Sequence, residues 1–262
     1  MKRFVMSLAL VVLALCGQAA MAAELTLGPS DVVKITVYNN PDLSVETRVS
    51  ESGEVTFPLV GQVGVNGLTV SAAEKKIAGL LETGGFVKKP QVNILVTVIQ
   101  SQQVSLLGQI NRPGRYPLDA RRGLMDVLAL AGGIAADGAD VVTVMRGQGD
   151  KATRDSIDII DMVRSANLGR NLELQAGDVV YVERAPRFYI YGEVQRPGPF
   201  RLERGMTVVQ ALSTGGGLTA RGTERGIRIK RRDASGVLQT IDAKHDDLLQ
   251  ADDVVYVKES LF

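Results

Sequence analysis

Tryptophan is absent from this 262-residue chain, and histidine and cysteine occur once each, as His245 and Cys16. A zinc site draws three or four nitrogen or sulfur ligands, so this inventory excludes one and no metal is expected. A Ser-His-Asp triad would have to use His245, which lies in Ala243-Lys-His-Asp-Asp247, a polar stretch with no nucleophile motif beside it. His245 reads as an exposed loop residue. The glycines at 215–217 are followed by no Gly-Lys-Ser/Thr, so they form no phosphate loop. Asp155, Asp158 and Asp161 fall every third residue rather than on the alternate positions of a calcium loop, and a solvated helical face is expected there. The chain is therefore read as no enzyme and as needing no cofactor. Excess charge is missing too: 30 Lys and Arg stand against 29 Asp and Glu, so no basic field points to nucleic acid.

Long apolar runs are confined to the start. Lys2 and Arg3, an apolar core at 4–15 and Ala20-Met-Ala22 have the pattern of an export signal. That core is too short for a membrane span of about 20 residues. Cleavage after Ala22 is expected; it would remove Cys16 and leave a chain of net charge −1 that needs no disulfide. The rival readings are a lipoprotein signal ending at Cys16, against which Leu15 stands where a small residue belongs, and a retained anchor.

What the chain does have is a repeat. Val104-Ser-Leu-Leu-Gly108-Gln-Ile-Asn-Arg112-Pro-Gly114 returns as Phe188-Tyr-Ile-Tyr-Gly192-Glu-Val-Gln-Arg196-Pro-Gly198, 84 residues later. Leu174-Gln-Ala-Gly-Asp178-Val-Val-Tyr-Val182 returns as Leu249-Gln-Ala-Asp-Asp253-Val-Val-Tyr-Val257, only 75 residues later. Two copies of one small domain are implied, the first carrying about nine extra residues.

Within 24–100, Val33, Ile35 and Val37 alternate as in a half-buried strand, and Ser50-Glu-Ser-Gly53 predicts a hairpin between 45–49 and 55–60, with Pro58 marking an edge. Ser71 and Glu74 have capping-box spacing ahead of a helical stripe at Ile77, Leu80 and Leu81 that ends at Gly84-Gly85. Another alternating strand follows at 92–98. Each repeat predicts a strand, an Arg-Pro-Gly turn, a second strand, a helix at 124–131 or 208–214 stopping at paired glycines, and further strands. That pattern is β-grasp, and the fold class is α+β.

These repeats resemble the soluble-ligand-binding β-grasp (SLBB) domain, and Leu27-Gly-Pro-Ser-Asp31 with Gly53-Glu-Val-Thr-Phe-Pro-Leu-Val-Gly61 resembles the polysaccharide export domain. The order is similar to that of the outer-membrane polysaccharide export family, with a signal at 1–22, an export domain at 23–101, and SLBB domains at 102–185 and 186–262. The resemblance implies a periplasmic, outer-membrane-associated homo-oligomeric ring, an octamer, through which capsule or exopolysaccharide passes. It further implies an inner-membrane co-polymerase as partner. Two departures are visible. The family's lipidated cysteine is not expected here, and only Lys258-Glu-Ser-Leu-Phe262 follows the last strand, about 7 Å of helix against a bilayer core of about 30 Å. A separate outer-membrane pore is therefore expected as a further partner.

Candidate contacts are few. Arg225, Arg228, Lys230, Arg231 and Arg232 read as a strand with a charged face that also blunts a sheet edge; the alternative is contact with an anionic polymer or an acidic neighbouring subunit. Arg112 and Arg196 are expected to shape their turns, with ligand contact as the alternative. Aromatics make up 5% of the chain and the six tyrosines look scattered, which favours passage of polymer over capture. The runner-up function is a monomeric periplasmic β-grasp protein binding a soluble saccharide or cofactor.

Overall fold

Alternation of apolar and polar residues closes three separate cores along the chain, each under its own sheet. The computed structural model describes residues 25–147 and 149–260; the export-signal reading, with Cys16, and Phe262 lie outside them.

The first unit holds β1 (Val32–Val37), β2 (Val45–Arg48), β3 (Glu54–Phe57), β4 (Gly61–Gly64), α1 (Val70–Thr83) and β5 (Val92–Val98). β1 is the middle strand of an antiparallel β2-β1-β5 sheet and points Val33, Ile35 and Val37 into the core. α1 lays Ala73, Ile77 and Leu81 onto that sheet, and β3 and β4 add Val55, Phe57 and Val63.

Two expectations fail here. The 45–49 and 55–60 segments form no hairpin with each other; β2 pairs with β1 while β3 pairs with β4. Val49 donates its N–H to the Asp31 carbonyl and accepts from Ser30, which extends the pairing of β2 with the β1 side, and only Ser50 N–H reaches back to the Glu54 carbonyl. Pro58 sits in the turn after β3, not inside a strand. Nor do Ser71 and Glu74 form the capping box. Thr69 caps α1, its Oγ1 accepting from Ala72 N–H at 3.2 Å, and Glu74 Oε1 accepts the Ile94 N–H at 2.8 Å, tying the helix to β5.

The repeats have one topology. The first contains β6 (Gln103–Gly108), β7 (Gly114–Pro117), α2 (Leu124–Leu130), β8 (Gly138–Arg146), β9 (Thr153–Asp158), α3 (Ile159–Arg164) and β10 (Val179–Arg184). The second contains β11 (Arg187–Gly192), β12 (Gly198–Arg201), α4 (Val208–Thr214), β13 (Arg228–Arg232), β14 (Leu238–Asp242) and β15 (Val254–Val257). Sheet orders are β7-β6-β10-β8-β9 and β12-β11-β15-β13-β14, each with a central parallel pair and a helix packed on one side. The α+β class with two β-grasp repeats is as expected. The extra residues of the first copy include α3. Asp155 lies in β9, Asp158 caps α3 and Asp161 is in its first turn, so the three do not share one helical face.

Gly108 and Gly192, each following the first strand of its repeat, show why the motif requires glycine. Both have positive φ, 87° and 95°, and a Cβ at either would lie 2.1 Å from a carbonyl oxygen of the parallel partner strand, that of Val182 or Val257. Phe188, fully buried and stacked on Phe200 at 5.9 Å, anchors the second core; burial of such a side chain contributes about 1.5–3 kcal/mol.

Candidate functional site

The sequence-nominated arginines divide into those both repeats use alike and those only one repeat has. Arg112 Nη2 donates to the Leu130 carbonyl at 2.6 Å, and Arg196 Nη2 to the Thr214 carbonyl at 2.9 Å. Each guanidinium thus partners the unsatisfied carbonyl end of its repeat's helix, where a cation is also favoured by the helix dipole. Arg231 is the second repeat's version of Arg146. Arg146 Nε and Nη2 grip Asp178 at 2.8 and 2.7 Å; Arg231 grips Asp253 at 2.8 and 2.6 Å. Both aspartates are buried and take a further N–H, from Gln175 and Gln250. The bonds to Asp178 and Asp253 are the first cause holding the guanidinium pKa values of Arg146 and Arg231 above their ordinary value. These pairs organise the entry into the last strand of each repeat. Asp31 has the same spacing from Leu27 as those aspartates have from Leu174 and Leu249. Buried and without an ion pair among the described residues, it accepts from the N–H groups of Gly28, Gln100 and Ser101 and from Ser101 Oγ, which fixes the segment leading from β5 into the first repeat.

The open face of the second sheet is different. Alternation along β11 sends Phe188 and Ile190 inward and Tyr189 and Tyr191 outward; Val254 and Tyr256 of β15 and Arg228, Lys230 and Arg232 of β13 join them on the outside. Register sets Tyr191, Tyr256, Arg228 and Asp242 in one row across the strands, and Pro199, Tyr189, Val254, Lys230 and Thr240 in the next. The Tyr191 and Tyr256 ring centroids are 4.9 Å apart at 35°, and Lys230 Nζ stands 5.3 Å from the Tyr191 centroid, a cation-π contact. Arg228 meets Asp242 at 3.4 Å in the open; Arg225 lies in the turn ahead of β13. Half of the six tyrosines therefore collect on this one surface, contrary to their scattered look in the sequence. At the matching positions of the first repeat stand Ser105, Leu107, Tyr181, Thr143 and Met145.

A third cluster, which sequence reasoning missed, joins the repeats. Arg201 donates to the Ala136 carbonyl at 2.6 Å and to Asp140 at 2.9 Å, Arg187 approaches Asp137 at 3.4 Å, and Arg204 reaches Asp158 Oδ2 at 2.6 Å. The Asp158 carboxyl is held below the usual carboxylate range, first by the Asp161 N–H it accepts as helix cap, with Arg204 adding to the effect against partial burial. Asp137, Asp140 and Asp158 lie far from the arginines in sequence, with no motif to link them.

His245 is half exposed and stands 3.4 Å from Glu224. Among the described residues no group of three His, Cys, Asp or Glu side chains is set to hold a metal ion, and no helix is long and apolar enough to cross a membrane.

Comparison with known proteins gives three matched segments. A family model described as polysaccharide biosynthesis/export protein matches residues 19–97, and two SLBB domain models match 102–182 and 187–242. The EPS I polysaccharide export outer membrane protein EpsA of Ralstonia nicotianae is 27% identical over 277 residues, covering 91% of this chain and 71% of that protein. The polysialic acid transport protein KpsD of Escherichia coli is 23% identical, over 71% of this chain and 33% of its own length. The capsule polysaccharide export outer membrane protein CtrA of Neisseria meningitidis is 30% identical, over 71% of this chain and 46% of its own.

Proposed function

This chain belongs to the outer-membrane polysaccharide export family, and from that premise we propose that it is a component of a capsule or exopolysaccharide translocon. It acts in the periplasm against the outer membrane as a closed ring of identical subunits, with the polymer passing through the lumen. An inner-membrane co-polymerase feeds it. The observation that carries this reading is the order of parts in one chain: an export domain, then two β-grasp sheets fixed to one another by ion pairs.

Surface character supports assembly. Tyr38, Leu59, Phe86 and Leu95 of the export unit are exposed, as are Leu238 and Ile241 on β14, a strand at the open edge of its sheet. Exposed apolar side chains and unpaired edges are places where another subunit can dock. A contact between unlike patches of neighbouring copies closes into a ring when the rotation permits.

Deleting the coding region and scoring surface and periplasmic polysaccharide tests the reading. Loss at the surface with accumulation in the periplasm is expected; unchanged surface polymer would overturn it. Light scattering on the purified protein should give a mass many times one subunit, whereas a persistent monomer would remove the ring.

A further inference from the structure

We infer that the open face of the second β-grasp sheet is a contact surface for an acidic polysaccharide, with Tyr189, Tyr191 and Tyr256 stacking on sugar rings and Lys230 and Arg228 meeting their carboxylates. This rests on the export reading and deepens it by naming the class of polymer.

The first repeat serves as an internal control. It builds the same five-stranded sheet with Ser105 and Leu107 where the second has Tyr189 and Tyr191, and with Thr143 and Met145 where the second has Arg228 and Lys230. The fold therefore requires neither Tyr189 and Tyr191 nor the two cations, while the third ring, Tyr256, has a counterpart in Tyr181. Their cost is visible as well: Tyr189 and Tyr191 are 42% and 37% exposed, large apolar surface left toward water.

The chemistry of the patch selects its occupant. A pyranose presents an apolar C–H face and a hydroxylated rim, which suits amphipathic tyrosine rings with a polar tip. Tyr191 and Tyr256 sit side by side on paired strands, and strands are spaced about 4.8 Å apart, so an extended chain can lie across the sheet in contact with successive rings. Beside them Lys230 has no carboxylate within 4 Å among the described residues; its ammonium is held only over the Tyr191 ring. The one acid in these rows, Asp242, faces Arg228. An aromatic surface edged with an uncompensated cation fits sugars that carry carboxylates better than neutral ones. The rings are open rather than enclosed, so each subunit would guide the polymer weakly and let it move on.

The test uses the purified full chain, with alginate as the polyuronate probe and dextran as the neutral one, in affinity electrophoresis and calorimetry. Alginate should retard and titrate the protein, less so at high salt, and dextran should do neither. Tyr191→Ala and Lys230→Gln should each weaken alginate binding by about fivefold or more, while Tyr191→Phe, which keeps the ring, and Tyr181→Ala, at the matching place in the first repeat, should bind like the parent. Wild-type protein that ignores alginate, equal binding of dextran, or equal loss in Tyr181→Ala would overturn the inference. So would a Tyr191→Ala protein that keeps alginate binding but changes particle mass, since the face would then be a subunit contact. The two readings fail separately: a deletion strain with normal surface polysaccharide defeats the export reading, whereas a deletion that abolishes it beside a wild-type protein blind to alginate defeats only the acidic-polymer contact.

Discussion

Gly192→Ala should unfold the second repeat selectively. At φ 95° the backbone lies where an L side chain is strained, a cost of about 1–2 kcal/mol. The added Cβ would also lie 2.1 Å from the Val257 carbonyl oxygen, which cannot swing aside because β15 is paired on both edges, with β11 and with β13. Restoring van der Waals distance means parting β11 from β15 by about an ångström, and the total should reach about 3–5 kcal/mol. For a domain of this size that lowers its transition by about 12 °C or more. Gly217→Ala separates the two contributions. Its φ is 83° but nothing lies within 4 Å of the new methyl, so about 1–2 kcal/mol is expected. Urea unfolding followed by tyrosine fluorescence suits the measurement, because the chain has no tryptophan and three of its six tyrosines are in the second repeat. Equal losses for Gly192→Ala and Gly217→Ala would refute the close-approach explanation and leave backbone conformation alone.

Arg231→Met should cost about 3 kcal/mol, since it strands the fully buried Asp253 carboxylate; Arg228→Met, whose partner Asp242 is exposed, should cost about 0.5 kcal/mol or less in the same urea assay. Asp31→Ala should leave the N–H groups of Gly28, Gln100 and Ser101 without their acceptor, and limited proteolysis should then cut near residues 100–101, where the parent resists. The acid response of the inter-repeat joint follows from Asp158. Its folded carboxyl titrates below the unfolded value of about 3.9, so its contribution is complete above that pH and is lost as pH falls through the lower folded value. Thermal melts between about pH 5 and pH 3 should show a shallower acid loss for Asp158→Asn than for the parent; an identical slope would show that Asp158 does not carry it.

Much of the architecture was legible because alternation is a local signal. Val33, Ile35 and Val37 point inward as their spacing predicts, and the helix stops at 84–85, 132–133 and 216–217 follow paired glycines, of which all but Gly84 take positive φ. What escaped were choices between near-equal local options. Thr69 and Ser71 are both able to cap; Thr69 does so, and Glu74 accepts from Ile94 instead. A glycine turn at 50–53 does form, yet the strands beside it pair elsewhere, β2 with β1 and β3 with β4. The site was hidden for a topological reason: β11 and β15 pair in parallel across a 61-residue crossover, so Tyr191 and Tyr256 meet only in the folded sheet. One signal was nonetheless present, since period two already puts Tyr189 and Tyr191 on the side opposite Phe188 and Ile190.

Duplication supplies a test that a single domain would not. Side chains with the same partners in both copies, such as Arg112 and Arg196 at the helix ends or Arg146 and Arg231 on their buried aspartates, answer demands of the fold. Side chains that differ on the open face answer something else. Replacing Tyr189, Tyr191, Arg228 and Lys230 by Ser, Leu, Thr and Met would give the second sheet the face its sister already folds with. None of the four reaches the core of its repeat, so the variant should stay within about 1 kcal/mol of the parent in stability. It should also lose retardation by alginate. A stable variant that still binds would show that the polymer contact lies elsewhere, and an unfolded one would show that these residues are needed by the second repeat alone, which its twin gives no physical reason to expect.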